Sequence, residues 1–311
     1  MNQPLPTPVL EIGGTHVTAA LVHGPGGTWR VAPDSIVRRG LDAHAPAAEL
    51  LDRVAEAAAA LGTGHSGTWG VALPGPFDYA AGVALYEHVG KFDELKGVDV
   101  GAELARRLGT AAGSISFLND ADAFGIGEVA LGAAGGSRRA ACITLGTGVG
   151  STFLADGVPV KSGSDVPPDG SCYLLEYNGL PLEETVSRRA IRRAYAAAAA
   201  PGESHDAGTP DVREIAGAAR AGDPVAAAVL DHAFGAAGAA AAPYLKRFGA
   251  EVLVVGGSMT GSWDLVEPAL RRGIASVEPD LARLPLRKAE RSEEAGLVGA
   301  AYWAMAAGSA V

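Results

Sequence analysis

Apolar positions recur along this chain in two alternating rhythms. The stretch "VLEIGGTHVTAALV", residues 9–22, has two apolar runs flanking Gly13-Gly14-Thr15. It predicts strand, glycine turn and strand over residues 8–22, with β-branched Val17, Thr18 and Val22 in the second strand. Leu50, Leu51, Val54 and Ala58 share one stripe and predict a helix over 45–61. "GTWGVALPGPFD" predicts a strand that ends at Pro74-Gly75-Pro76, since proline cannot continue a ladder. "VDVGAELARRLG" predicts a helix stopped by Gly109, and "GSISFLND" a buried strand running into the helix "ADAFGIGEVALG". Strand, glycine turn and strand recur in "RAACITLGTGVGSTFLADG". A loop-rich region follows over 160–179, then a helix in "LEETVSRRAIRRAYAAAAA" and an exposed loop in "PGESHDAGTPD". Two Ala-rich helices over about 212–249, the strand "AEVLVVGGS", a helix near 262–275 and the apolar helix "AGLVGAAYWAMAAG" complete the pattern.

Residues 8–22 and 139–155 share one grammar, a hairpin with Gly and Thr in its turn and no helix directly after. This suggests a weak internal duplication, with two α/β domains facing each other across a cleft.

The glycine turns have two readings. Either is a plain hairpin, or its glycines bring backbone N–H groups close to an anion while threonine adds a hydroxyl. "LGTGVG" is followed by a strand, so it fails as a dinucleotide fingerprint, and the chain has no GxxxxGK[ST]. Asn119-Asp120, where strand meets helix, reads as a helix N-cap or as a carboxylate placed to take a proton from a substrate hydroxyl. Gly125 and Gly127 within that helix each cost about 1 kcal/mol against Ala, so close packing there is expected. Gly256-Gly257-Ser258 after a buried strand is a simple βα turn or a seat for a flat ring or ribose.

The net charge of −10 over 311 residues argues against nucleic acid as a partner. The residues "MNQPLPTPVLE" lack the features of a signal peptide, and no run of about 18 strongly apolar residues stands out, so a cytoplasmic protein with no membrane partner is expected. Cys142 and Cys172 are too few for a disulfide framework or for a structural zinc site on their own.

In order, the stretches "EIGGTHVTAALV", "GVALPGPFDYAAGV", "FLNDADAFGIGE", "ITLGTGVGSTFLADG", "LEETVSRRAI", "VLVVGGSM" and "EEAGLVGAAYWA" resemble the ROK family (repressors, open reading frames and sugar kinases) over nearly the whole chain. The resemblance implies the α/β actin/hexokinase-like (ribonuclease H-like) fold, duplicated, with a central cleft. It implies a small N-terminal domain at 1–121, onto which a C-terminal helix at about 295–311 packs back, and a larger domain at 122–294. The implied activity is ATP- and Mg²⁺-dependent phosphorylation of the C6 hydroxyl of a sugar. Asp120 would be the base, with Asn119 and Gly75 lining the sugar pocket. Gly13, Gly14, Thr15 and His16 would form the first phosphate turn, and Gly146, Thr147 and Gly148 the second. Gly256, Gly257 and Ser258 would lie near the adenosine. The family also suggests a homodimer.

The sequence departs from the family at three places. Glu11 replaces an Asp and would meet Mg²⁺ through water. The segment Asn-x-x-Gly-Trp reads "HVGKF", so His88 takes the Asn position in the sugar pocket, while Lys91 and Phe92 replace Gly-Trp. Lys91 is either a solvated side chain or an added charge in that pocket. The Glu-x-Gly-His element and the Cys-rich zinc motif are missing, so no structural zinc is expected. Glu183 matches a sugar-binding Glu, and Glu176 stands in for the missing Glu or His or is a plain loop residue. These changes point to an altered sugar: glucose, an aminosugar such as kanosamine, N-acetylmannosamine or a hexose-like cyclitol. Polyphosphate is the alternative donor. The competing functions are a sugar-sensing regulator, disfavoured by the roughly eight residues before the first strand, and a sugar-independent ATPase.

Overall fold

A computed structural model describes residues 4–24, 28–199 and 208–308. The chain divides into two units, Met1–Gly132 with Arg291–Val311, and Ala133–Glu290. In chain order, unit 1 begins with β1 (Thr7–Ile12), β2 (His16–His23), β3 (Arg30–Val31), β4 (Val37–Gly40) and α1 (Ala47–Ala59). It continues with β5 (Trp69–Leu73), the short pair β6 (Phe77–Asp78) and β7 (Val83–Ala84), α2 (Val100–Leu108), β8 (Ile115–Asn119) and α3 (Asp120–Leu131). Unit 2 holds β9 (Arg139–Leu145), β10 (Val149–Ala155), β11 (Val158–Pro159), β12 (Glu176–Tyr177) and β13 (Leu180–Pro181). Then come α4 (Glu183–Val186), α5 (Arg188–Ala199), α6 (Val212–Arg220), α7 (Pro224–Phe248), β14 (Val252–Gly256), α8 (Trp263–Val277) and β15 (Leu286–Lys288). The chain returns to unit 1 with α9 (Ser292–Gly308).

The sheet of unit 1 runs β3-β2-β1-β5-β8, with β4 also on β2. β1 and β2 are antiparallel, with Val9 opposite Ala20, while β1–β5 and β5–β8 are parallel. Unit 2 repeats this wiring as β11-β10-β9-β14-β15. Its hairpin is antiparallel, with Ile143 opposite Ser151, and β9–β14 and β14–β15 are parallel. The two halves therefore share one topology, which the paired hairpins suggest in the sequence.

In unit 1, Leu10, Val71 and Phe117 from the strands join Leu50, Leu51, Val54 and Leu104 from α1 and α2 in a core. Asp99 caps α2 by accepting from the Ala102 amide at 2.8 Å, and Gly109 ends it in the left-handed region at φ +65°, where glycine carries no Cβ penalty. α9 packs on β1, β5, β8 and α3. A Cβ on Gly127 of α3 would fall 1.9 Å from the Ala295 carbonyl oxygen, and one on Gly299 of α9 1.8 Å from that of Ala123. That close backbone approach accounts for the glycine inside α3. It also ties α3 to unit 1, so the division falls at 132/133 instead of the expected 121/122.

α7 and α8 of unit 2 meet through glycine in the same way: a Cβ on Gly238 would lie 2.2 Å from the Leu270 oxygen. By length and composition, α7 (25 residues) is apolar enough to cross a membrane; here Leu230, Phe234, Ala237, Ala241 and Leu245 are buried in the core of unit 2. The loop-rich region 160–179 contains β12 and a turn over Cys172–Leu174. Buried Cys172 donates its amide to the Ser151 Oγ at 2.7 Å, and that hydroxyl donates to the Gly170 oxygen at 2.9 Å. The single helix expected over 182–200 is broken at Ser187, whose backbone is extended (ψ 157°) between α4 and α5. Residues 201–207 of the expected loop "PGESHDAGTPD" lie outside the described residues. The short strands β3, β4 and β15 were not expected; each has only two to four residues, too few to show a period.

Candidate active site

Unit 1 gathers one set of functional side chains at the ends of β1 and β8. Asn119 is the N-cap of α3: its Oδ1 accepts from the Ala121 amide at 2.9 Å. Its Nδ2 donates to the Tyr79 hydroxyl at 3.0 Å, and that hydroxyl donates to the Leu73 carbonyl at 3.2 Å. A Cβ on Gly75 would lie 3.4 Å from the same hydroxyl. Tyr79 thus draws Gly75 and Asn119 together. Gly75 and Asn119 are candidates from the sequence, whereas Tyr79 emerges only from this hydrogen bonding.

Asp120 opens α3 and is exposed to solvent. Its Oδ1 accepts from the Ala121 amide at 2.9 Å. The protein packed around it pushes its carboxyl above the usual range, and Asp122 adds to this, while the Lys91 ammonium and the Ala121 amide oppose it. Glu11, on β1, is pushed up to about 7, first by burial and then by the Asp120 charge; Arg38 opposes this and Glu293 adds to it. α9 comes close on this side, since a Cβ on Gly296 would lie 3.0 Å from the Glu11 Oε1.

The first glycine turn joins β1 to β2, with the Gly13 amide donating to the His16 carbonyl at 2.9 Å. Arg38 on β4 donates to the His16 Nε2 at 2.8 Å. The neutral ring then carries its proton on Nδ1 and donates it to the Thr15 Oγ1 at 3.0 Å. Burial and the Arg38 charge hold His16 below its ordinary pKa, in keeping with a neutral ring. Exposed Thr15 thereby keeps its O–H for another acceptor.

The segment "HVGKF" is the main departure in unit 1. His88 is exposed in a left-handed turn at φ +58°. Phe92, also left-handed at φ +60°, is 1 % exposed and packs on Tyr86, with ring centroids 5.4 Å apart. The Val89 and Gly90 amides donate to the Asp93 carboxylate at 3.0 and 3.1 Å, and the Phe92 amide to the Ala43 oxygen at 2.8 Å. Half-buried Lys91 is therefore held between two fixed neighbours. Its Cδ would lie 3.8 Å from a Cβ on Gly14, and its charge acts on Asp120.

In unit 2, the Gly146 amide donates to the Gly148 oxygen at 3.1 Å, and the Arg188 amide at the start of α5 donates to the Gly146 oxygen at 3.0 Å. The end of β14 lies against this turn. A Cβ on Gly146 would sit 3.5 Å from the Ser258 Oγ, and one on Gly257 (φ +87°) 2.3 Å from the Leu145 oxygen. Glu183, at the start of α4, reaches the same turn: its Oε1 would be 2.6 Å from a Cβ on Gly148. Gly146, Gly148, Glu183, Gly257 and Ser258 are thus brought together. Glu176 is exposed on the β12–β13 hairpin, opposite Pro181. Among the described residues, no group of three or more His, Cys, Asp and Glu could hold a metal ion.

The ROK family model matches residues 8–307. The chain belongs to the ROK family. ROK kinases have the actin/hexokinase-like fold, consistent with the repeated topology of the two units. Over 317 aligned residues the chain is 26 % identical to a glucokinase of Thermotoga maritima, covering 94 % of this chain and 95 % of that protein. It is 31 % identical over 204 residues to a glucokinase of Streptomyces coelicolor, covering 59 % of this chain and 64 % of that protein. The crystal structure of a ROK hexokinase from Thermus thermophilus superposes with a TM-score of 0.77 at 26 % identity, covering 98 % and 99 % of the two chains. Arg38, which acts on both His16 and Glu11, is not signalled in the sequence. It reaches the first turn only because β4 pairs with β2, and that strand is too short and polar to predict.

Proposed function

We propose that this ATP-dependent sugar kinase transfers the γ-phosphoryl group of ATP to the primary (C6) hydroxyl of a hexose or hexose-like sugar, with Asp120 as general base. The observation that carries this reading is the placement of Asp120. It is a solvent-open carboxylate at the end of β8, in the same unit as the Gly13–Thr15 turn and linked to it by Lys91. Membership of the family and near full-length similarity to a glucokinase and a ROK hexokinase support it.

Phosphoryl transfer asks mainly for positioning and charge neutralisation. The sugar oxygen forms a bond to the γ-phosphorus as the bond from that phosphorus to the ADP oxygen breaks. The hydroxyl proton passes to the Asp120 carboxylate, and ADP leaves with the electron pair. The Ala121 amide orients that carboxylate and Asn119 fixes the helix end on which it stands. The first turn offers backbone N–H groups and the Thr15 hydroxyl to phosphate oxygens. In unit 2, the Gly146–Gly148 turn and the end of β14 are assigned to the nucleotide and Glu183 to a sugar hydroxyl.

The donor set fits a Mg²⁺ carried in on the nucleotide. Burial and the Asp120 and Glu293 charges hold the Glu11 carboxyl up at about 7, surroundings that a cation would relieve, and such an ion takes its other ligands from water and phosphate. Glu11 would hold it, and when bound the ion neutralises phosphate charge.

Among the acceptors, a neutral hexose such as glucose fits this environment better than an aminosugar. Lys91 already places a positive charge at Asp120, which disfavours a second cation there. ADP release measured with glucose, kanosamine, N-acetylmannosamine and cyclitols tests the reading. Turnover with at least one acceptor is expected. Absence of turnover with every acceptor, or ADP release that does not depend on sugar, would overturn it.

A further inference from the structure

We infer that Lys91 is a catalytic residue of this reaction, carrying the positive charge that meets the transferring phosphoryl group. The inference rests on the assignment of Asp120 and the first glycine turn made above.

Three observations converge on it. First, the Lys91 side chain approaches the turn, with its Cδ 3.8 Å from where a Gly14 Cβ would be. The ammonium is two bonds beyond Cδ, a reach of about 2.5 Å, so the charge lies on the same side of unit 1 as the first glycine turn. Second, the Lys91 charge acts on Asp120, whose carboxylate takes the hydroxyl proton. A phosphoryl group passing from the turn toward an oxygen beside Asp120 therefore passes the ammonium. Third, Lys91 makes no ion pair within 4 Å among the described residues. Its charge is not spent on a structural partner, and its backbone is fixed by buried Phe92 on one side and the Asp93-bound amides on the other. A cation held in place before the substrate arrives stabilises developing phosphoryl charge without reorganising.

The test uses the full chain with Lys91→Met and Lys91→Arg. Calorimetric titration with ADP and with AMPPNP, each with Mg²⁺, measures the preference for a terminal phosphoryl group. We expect Lys91→Met to lose about tenfold of that preference and Lys91→Arg to keep most of it. With the acceptor of highest turnover, Lys91→Met should lower kcat by about 10²–10³-fold, the usual effect of removing one preorganised charge-stabilising group. Its sugar KM should stay within threefold, and its thermal midpoint should match the wild type. An unchanged ADP-to-AMPPNP preference overturns the inference. A raised sugar KM with unchanged kcat also overturns it, as does a lowered midpoint that Lys91→Arg fails to restore. Should the wild type phosphorylate no acceptor, the kinase reading fails, and the nucleotide preference still decides the role of Lys91.

Discussion

Glu11→Gln isolates one charge whose effect can be calculated. The Glu11 carboxyl moves from the usual 4.5 to about 7 in the folded chain, first through burial and then through the Asp120 charge. A raised carboxyl pKa means that the folded state binds the proton more tightly than the unfolded state. Below about 4.5 the group is neutral in both states and costs nothing. As pH rises from 4.5 through 7, the unfolded chain releases its proton first, so stability falls with pH and the loss is complete above 7. At about 1.4 kcal/mol per tenfold change, the ceiling is about 3 kcal/mol. Water reaches part of this side chain, which reduces the expected cost to about 2 kcal/mol. Glutamine keeps the shape and removes the charge. The variant should therefore be more stable than wild type by about 2 kcal/mol at pH 8.5, a rise in melting temperature of about 5 °C. The gain should shrink to nothing near pH 4.5. Urea and thermal unfolding of both proteins across this range, without nucleotide, provide the comparison. A gain that is the same at every pH, or no gain at pH 8.5, would refute the calculation. Turnover should fall at least tenfold in the same variant, the pattern of a group kept for chemistry at a cost in stability.

Asp120→Asn should lower kcat by about 10²–10⁴-fold while sugar binding survives, measured by kinetics and calorimetry; near-normal turnover would remove Asp120 as base. The same change removes a charge that raises Glu11, so the pH-dependent loss of stability from Glu11 should still begin near 4.5 and be complete at a lower pH than in the wild type. Gly127→Ala places a Cβ 1.9 Å from the Ala295 oxygen and should cost about 3 kcal/mol or more in urea unfolding, although alanine gains about 1 kcal/mol in helix propensity. Glu183→Gln should raise the sugar KM at least tenfold, and Glu176→Gln should leave it within twofold; equal effects would return Glu176 to the site.

The fold was legible where packing repeats with a period. Both hairpins, the parallel strands after them and the glycine inside α3 show in the spacing of apolar and small residues, because a buried face forces that spacing. What did not show depends on residues far apart in the chain. Glu11 with Gly14, Arg38, Lys91 and Asp120 come from four separate segments, and the pairing of β1 with β2 and β5, β2 with β4, β5 with β8 and the seating of Phe92 bring them together. "HVGKF" illustrates the difference. In the sequence, His88 and Lys91 were both open candidates for the pocket. The backbone separates them, since buried Phe92 pins Lys91 against Gly14 while His88 points out of a left-handed turn. The two readings of Asn119-Asp120 turn out to be compatible. Asn119 caps α3, and that cap fixes the helix N-terminus on which Asp120 stands. The positive end of the helix dipole and the Ala121 amide then favour the ionised carboxylate against the burial that opposes it. The cap that Asn119 makes is thus a condition for the role proposed for Asp120.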